Sequence, residues 1–267
     1  MKKVVAIMMA LVMVLCFAAC SNDEAADTTS EQTDSEYVKE KGTLVVGITE
    51  FEPMDYKDDN GNWVGFDADM ATAFAESLGV EVEFVVIDWD NKIMELDSES
   101  IDCVWNGMTL TDEVKESMET SNAYCNNAQV VVVPSEVAEN YTTEESIMDL
   151  NFSAEAGSAG EAALQDLGCN VTSLQSQADA LMEVSAGTSD ACVIDLLMAG
   201  AMIGEGTSYE NLTYTISLNS EEYGVGFRKG SDLAELLNQF FVDSYADGSM
   251  QEIAETYGVQ ESLIEQQ

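Results

Sequence analysis

"NFSAEAGSAGEAALQDLG" (Asn151–Gly168) carries a short apolar run, a glycine-rich turn and a helix-forming segment stopped by a glycine. The chain on either side repeats that grammar. Downstream, "CNVTSL" (Cys169–Leu174) reads as a strand, "QADALMEVSAG" (Gln177–Gly187) as a helix and "SDACVID" (Ser189–Asp195) as a strand. Upstream, "TLVVGI" (Thr43–Ile48) is a buried strand, and Asn60-Gly61 marks a turn. Phe66, Met70, Phe74 and Leu78 then line one face of a helix that Gly79 ends. "VEVEFVVI" (Val80–Ile87) and "IDCVWNG" (Ile101–Gly107) are further strands. Strand–helix alternation of this kind builds parallel-rich α/β sheets, and its occurrence twice predicts two similar lobes rather than one domain. "NNAQVVVVP" (Asn126–Pro134) reads as a single strand between the two series, and Tyr223–Gly258 adds one more strand and two helices.

Composition narrows the function. The chain has 267 residues, 51 acidic against 9 basic, and a formal net charge of −42. Phosphate backbones and anionic lipid surfaces need basic partners, so nucleic acid is excluded as a ligand and no basic membrane-docking face is available. There is no histidine, which removes His-based triads, Cys–His pairs and His-ligated zinc. The six cysteines show no C-x-x-C spacing, so a zinc ribbon is not expected. Neither a metal nor any other cofactor is expected, and no acid–base pair is placed for catalysis.

Residues 1–19 read as a targeting signal: Lys2 and Lys3, an apolar run from Val4 to Leu15, then small residues before Cys20. Small residues ahead of a cysteine with a polar stretch after it resemble a lipoprotein cleavage site, with Cys20 lipidated. An ordinary secretory signal with Cys20 incidental is the other reading. Residues 20–41, polar and acidic at their start, read as a disordered tether. Of the remaining cysteines (Cys103, Cys125, Cys169, Cys192), Cys103 and Cys192 lie in strand-like runs, where buried thiols are expected.

Open α/β sheets bind ligands beyond the carboxyl ends of their strands, so residues that follow strands are the candidates. Phe51 and Trp89 follow the first and second strands, where an aromatic wall can cover methylenes or face a cation, or simply pack. Asn106, Gly107, Met108 and Thr109 form the expected loop after the third strand, with Asn106 also readable as a turn residue. "NGMTLTDEVKESM" (Asn106–Met118) reads as a turn feeding a helix whose first N–H groups suit an anion. The same holds for Ser158, Ala159 and Gly160, where a strand meets its helix. Asp195 closes an apolar strand, as a ligand's partner or as a helix N-cap. Glu50 and Glu155 extend this set to an acidic cleft, or are solvated surface acids.

"GFDADMATAFAESLGVEVEFVVIDWDNKI", "IDCVWNGMTLTDE", "AEAGSAGEAAL", "DACVID" and "YGVGFRKGSDL", in this order, resemble the polar-amino-acid-binding proteins of ABC importers. The similarity runs from about Gly42 to about Gly258. It implies a two-lobed periplasmic-binding-protein-like fold with two hinge strands, Gln129–Val133 and roughly Ile216–Glu222. Residues 42–131 and 219–267 would be lobe 1 and residues 132–218 lobe 2. It further implies a monomeric lipoprotein on the outer face of the cytoplasmic membrane. Such a receptor holds an amino acid or amine by hinge closure and passes it to a permease. By that resemblance Phe51 and Trp89 sandwich the ligand side chain, the Gly107 carbonyl and Asp195 hold its ammonium, and Thr109 and the Ser158–Gly160 turn hold its carboxylate. One departure stands out: Val114 occupies the position of the family's usual carboxylate-clamping Arg. Either the remaining donors suffice or the ligand lacks an ordinary α-carboxylate.

Overall fold

The computed structural model describes Gln32–Gln267; the targeting signal and Cys20 lie outside the described residues. The chain builds β1 (Thr43–Ile48), β2 (Tyr56–Lys57), β3 (Trp63–Val64), β4 (Glu81–Val86), β5 (Cys103–Thr109), β6 (Glu119–Thr120) and β7 (Cys125–Asn127). It then crosses into β8 (Gln129–Pro134), β9 (Asn151–Glu155), β10 (Asn170–Leu174), β11 (Ala191–Asp195) and β12 (Leu212–Ser217), and returns as β13 (Glu221–Phe227). One sheet has the order β4-β1-β5-β13-β6 with β7 also on β13, and the other β10-β9-β11-β8-β12. The molecule is a two-lobed α/β structure.

Both sheets are mixed rather than parallel-rich throughout. β1 runs parallel to β4 and β5, and β9 parallel to β10 and β11, as right-handed strand–helix–strand units require. The strands that carry the chain between lobes enter from the opposite direction. β13 is therefore antiparallel to β5, and β8 antiparallel to β11 and β12. The expected single strand Asn126–Pro134 is split: β7 pairs in the first sheet and β8 in the second, so the chain crosses at Ala128. That is earlier than the expected boundary after residue 131. The return crossing, 218–220, is pinned to the first: Gln129 N donates to Asn219 Oδ1 (2.7 Å), and Leu218 N to the Gln129 carbonyl (2.8 Å).

In the first lobe the helix Phe66–Leu78 buries Phe66, Met70 and Phe74 against the sheet. Phe74, Trp105 and Phe241 meet there at centroid distances of 6.3 and 5.7 Å. Each fully buried Phe contributes roughly 1.5–3 kcal/mol, so this cluster anchors the lobe. In the second lobe, Phe152, Leu164 and Val193 form a separate cluster.

The expected tether is ordered at its end. Asp34–Lys41 is a helix started by a reciprocal capping box between Thr33 and Glu36. Asp232 fixes it by accepting from Ser35 N and Oγ (2.9 and 2.6 Å), and Asp34 pairs with Arg228 (3.2 Å). Lys41 pairs with the buried Asp102 at 2.6 Å. Cys103, Cys125, Cys169 and Cys192 are all free thiols, and all but Cys169 are buried. Among the described residues no helix is long and apolar enough to cross a membrane.

Candidate functional site

A cavity of about 430 Å3 lies between the two sheets, where strand ends of both lobes converge. That volume is in the range usual for small-molecule sites, roughly 300–1,000 Å3.

Phe51 and Trp89 line it from the first lobe. Phe51 is braced edge-on by Tyr223 (6.3 Å, 83°). Trp89 opens a single 3-10 turn, Trp89–Asn91. Asn106, Gly107, Met108 and Thr109 also line the cavity, but they belong to β5 rather than to a loop after it. Opposite β13, Val104 pairs with Gly226 and Met108 with Gly224. The two extra residues on β5 make a bulge that turns its backbone towards the cavity. Gly107 takes φ +55 within the bulge, and a Cβ there would stand 2.4 Å from Phe51 Cε1. Only glycine fits this position.

The Asn106 side chain is occupied internally. Its Oδ1 accepts from Thr49 N and Oγ1 (2.9 and 2.8 Å), and its Nδ2 donates to the Thr49 carbonyl and to Asp55 Oδ2 (3.0 and 2.7 Å). Asp67 accepts from Gly107 N (2.6 Å) and Tyr124 Oη (2.7 Å). Burial raises the carboxyls of both Asp55 and Asp67, and this pair supports the bulge from behind. Thr109 Oγ1 donates to Glu221 Oε1 (3.0 Å), so its hydroxyl hydrogen is already committed. Val114 lies in the short helix Asp112–Ser117, buried in an apolar cluster with Trp89, Met108 and Met118.

From the second lobe, Ser158 caps the helix Ala159–Leu167: its Oγ accepts from Glu161 N (3.0 Å), while Glu161 Oε2 accepts from Gly157 N (2.8 Å). Ser158 and Ala159 line the cavity; Gly160 does not. A Cβ on Gly160 would meet Gln129 Oε1 at 2.6 Å and Val193 Cγ1 at 2.9 Å, so this glycine serves the close approach of helix to sheet. Glu50 is exposed at the end of β1 and is not among the lining residues.

Asp195 lines the cavity at the end of β11 and is 3% exposed. It precedes the helix Leu196–Met202 but makes no side-chain cap bond. Its oxygens accept instead from Asn127 Nδ2 (2.8 Å), Gln129 Nε2 and Gln177 Nε2 (2.7 Å). Burial raises its carboxyl, and the neighbouring Glu221 raises it further. Glu155 ends β9, lines the cavity and is 2% exposed. Burial pushes it from 4.5 to about 8, reinforced by Asp195, with smaller opposite pulls from Lys92, Thr49 and Gln177. Thr49 Oγ1 donates to Asn106, and Gln177 Nε2 gives one of its two hydrogens to Asp195. Glu155 Oε1 is left buried without a hydrogen-bond partner.

Lys92, Gln129 and Gln177 also line the cavity and escaped the sequence reading. Lys92 is 9% exposed. Its Nζ stands 4.9 Å from the centre of the Trp89 ring and donates to the Trp89 carbonyl (3.2 Å) and, across the lobes, to the Gly157 carbonyl (3.1 Å). Burial lowers its pKa against the pull of Glu113, Glu155 and Asp90. A cation three residues after a strand-end Trp, in a chain with so few cations, was the available signal. Gly157 closes the same junction, since a Cβ on it would lie 2.8 Å from Asp90 Cα.

The cavity is thus lined by five acids (Asp112, Glu113, Glu155, Glu161, Asp195) and one cation, Lys92. Such a chamber favours ammonium or guanidinium groups, with aromatic faces to cover methylenes.

Residues 44–260 match the family of bacterial extracellular solute-binding proteins, family 3. The chain is 28% identical over 225 residues to the L-cystine-binding protein TcyJ of Escherichia coli K12, covering 82% of this chain and 84% of that protein. A solved mutant of ArgBP from T. maritima has a TM-score of 0.79 and 31% identity, covering 84% of this chain and 98% of that one. An ancestral amino acid-binding protein, AncCDT-1, described as a precursor of cyclohexadienyl dehydratase, has a TM-score of 0.76 and 29% identity over the same shares.

Proposed function

This chain belongs to the bacterial extracellular solute-binding proteins of family 3, and we propose that it captures an amino acid or related small amine between its lobes for delivery to an ABC importer permease. The observation that carries the reading is the cavity itself: aromatic walls from the first lobe face a buried, amide-braced Asp195 from the second. Neither lobe offers both kinds of group, so a ligand touching both favours the arrangement in which they meet. That difference in affinity drives closure. Lys92 donating to the Gly157 carbonyl (3.1 Å) supports the same picture, as a contact made only when the lobes approach. The relatives named for cystine and arginine support an amino-acid-like ligand.

In this proposal Cys20 carries the lipid that holds the receptor on the outer face of the cytoplasmic membrane, and the protein acts as a monomer. A membrane-tethered sensor with no permease would use the same cleft. An enzymatic reading draws on the likeness to the dehydratase precursor. A binder returns its ligand unchanged, so incubation with a bound ligand and recovery of intact ligand by mass spectrometry separates the two. The direct test is a thermal-shift screen of amino acids and amines on the full-length chain, followed by small-angle scattering with each hit. A bound ligand raises the melting temperature and contracts the particle. Failure of every amino acid and amine to shift the melting temperature refutes the proposal.

A further inference from the structure

Several of the features that would grip a ligand carboxylate are engaged or missing in this cleft, although the Ala159 N–H still faces it at the start of its helix. Val114 offers no donor and is packed among Trp89, Met108 and Met118. The Thr109 hydroxyl hydrogen goes to Glu221 Oε1 (3.0 Å). Gly157 N–H, beside the helix start, goes to Glu161 Oε2 (2.8 Å), and that acidic side chain already answers the positive end of the helix. Lys92 has three donors, and backbone carbonyls take two of them. A carboxylate entering this corner would also face Asp112, Glu113 and Glu161, all of which line the cavity.

The opposite holds for cations. Glu155 Oε1 is buried, lines the cavity and lacks a partner. A buried carboxyl oxygen without a donor is costly, and its natural partner is a group that arrives with the ligand. Asp195 and Glu155 end β11 and β9 in the second lobe's sheet and both line the cavity, so two acids reach the chamber from the same lobe. Phe51 and Trp89 supply the faces against which an alkyl chain or a guanidinium can lie.

Building on the proposed solute-binding role, we infer that the cleft selects a small cationic amine without a carboxylate, an alkyl diamine or guanidinoalkylamine, with Glu155 and Asp195 as its cation partners. The receptor then distinguishes an amine from its parent amino acid by what it lacks. The ligand brings positive charge to two buried acids and brings none of the negative charge that Asp112, Glu113 and Glu161 would repel. Discrimination of this kind arises from unfavourable contacts to the wrong ligand as much as from favourable ones to the right ligand.

Matched pairs test this directly. Isothermal titration of the full-length chain with agmatine against arginine, putrescine against ornithine and cadaverine against lysine isolates the carboxylate. At least one amine binding tenfold or more tighter than its parent amino acid is the expected result. Val114→Arg should reverse the order in that pair, because a guanidinium there meets the carboxylate and repels the amine. Amino acids that bind as tightly as, or tighter than, their amines overturn the inference and leave the solute-binding role intact. Absence of binding by all three amines also overturns it, and the wider screen above then decides the general role separately.

Discussion

Replacing Glu155 by glutamine separates what this side chain costs the fold from what it gives the ligand. The carboxyl is 2% exposed, and burial moves it from 4.5 to about 8. The folded chain therefore keeps a proton that the unfolded chain releases. Between those two values the native state holds more protons, so stability falls as pH rises, and the loss is complete above about 8. At about 1.4 kcal/mol per pH unit, full ionisation disfavours the native state by on the order of 5 kcal/mol. Glutamine matches the shape and carries no titrating charge. Wild type and Glu155→Gln should melt together near pH 4 and diverge towards pH 9, with the variant more stable by about 10 °C for a chain of this size.

Asp195, Asp55 and Asp67 are raised in the same direction, so both proteins slope downwards with pH. The difference between the two curves isolates Glu155. Differential scanning calorimetry without ligand, at steps across this range, measures it. A difference that stays constant with pH would refute the argument, because a packing effect does not titrate.

Three other substitutions have definite outcomes. Asp195→Ala removes the acceptor of three side-chain amides. It should weaken ligand binding at least tenfold by calorimetric titration, a charged hydrogen bond being worth roughly 1.5–3 kcal/mol, while circular dichroism stays native. Gly107→Ala forces a Cβ to 2.4 Å from Phe51 Cε1 at φ +55. Strain and overpacking together should cost about 2–4 kcal/mol in denaturant unfolding. Gly157→Ala places a Cβ 2.8 Å from Asp90 Cα in the other lobe. Beyond about 1–2 kcal/mol of backbone strain it should oppose closure, so scattering should detect less contraction with ligand than in the wild type.

Much of the fold was legible because it depends on local pattern. Helix periodicity through Phe66, Met70 and Phe74 and the apolar runs ending in Ile48 and Asp195 each carry their own signal. Asp195 could be singled out because a carboxylate closing such a run is unusual wherever it occurs. The β5 bulge was not legible. It exists only because β13, arriving from the far end of the chain, pairs with Val104 and Met108 but skips what lies between. Gln129 and Gln177 were hidden for a related reason: each opens an ordinary-looking element, and only tertiary packing on β11, of β8 for Gln129 and of the helix Gln177–Ala186 for Gln177, brings them to Asp195. The helix Asp34–Lys41 was legible and missed, since Thr33 followed by Glu36 and a closing Gly42 is a capping-box pattern set in a polar stretch.

The cleft and the hinge share their charges, which gives closure an electrostatic component. Asn127 and Gln129 flank the first crossing, and each donates both to Asp195 and to Glu221 Oε1. Glu221 begins the returning strand and raises the Asp195 carboxyl by repulsion. Two acids held by the same amides oppose each other until a cation reaches Asp195. A ligand ammonium therefore relieves repulsion at the place where both connecting strands meet, and the lobes are held together by less opposition as well as by new contacts. Glu221→Gln removes one of the two charges while keeping an acceptor for those amides. Its unliganded form should scatter as a more compact particle than the wild type, with a smaller further contraction on binding. An unliganded radius of gyration equal to that of the wild type would mean that the hinge does not sense this charge pair.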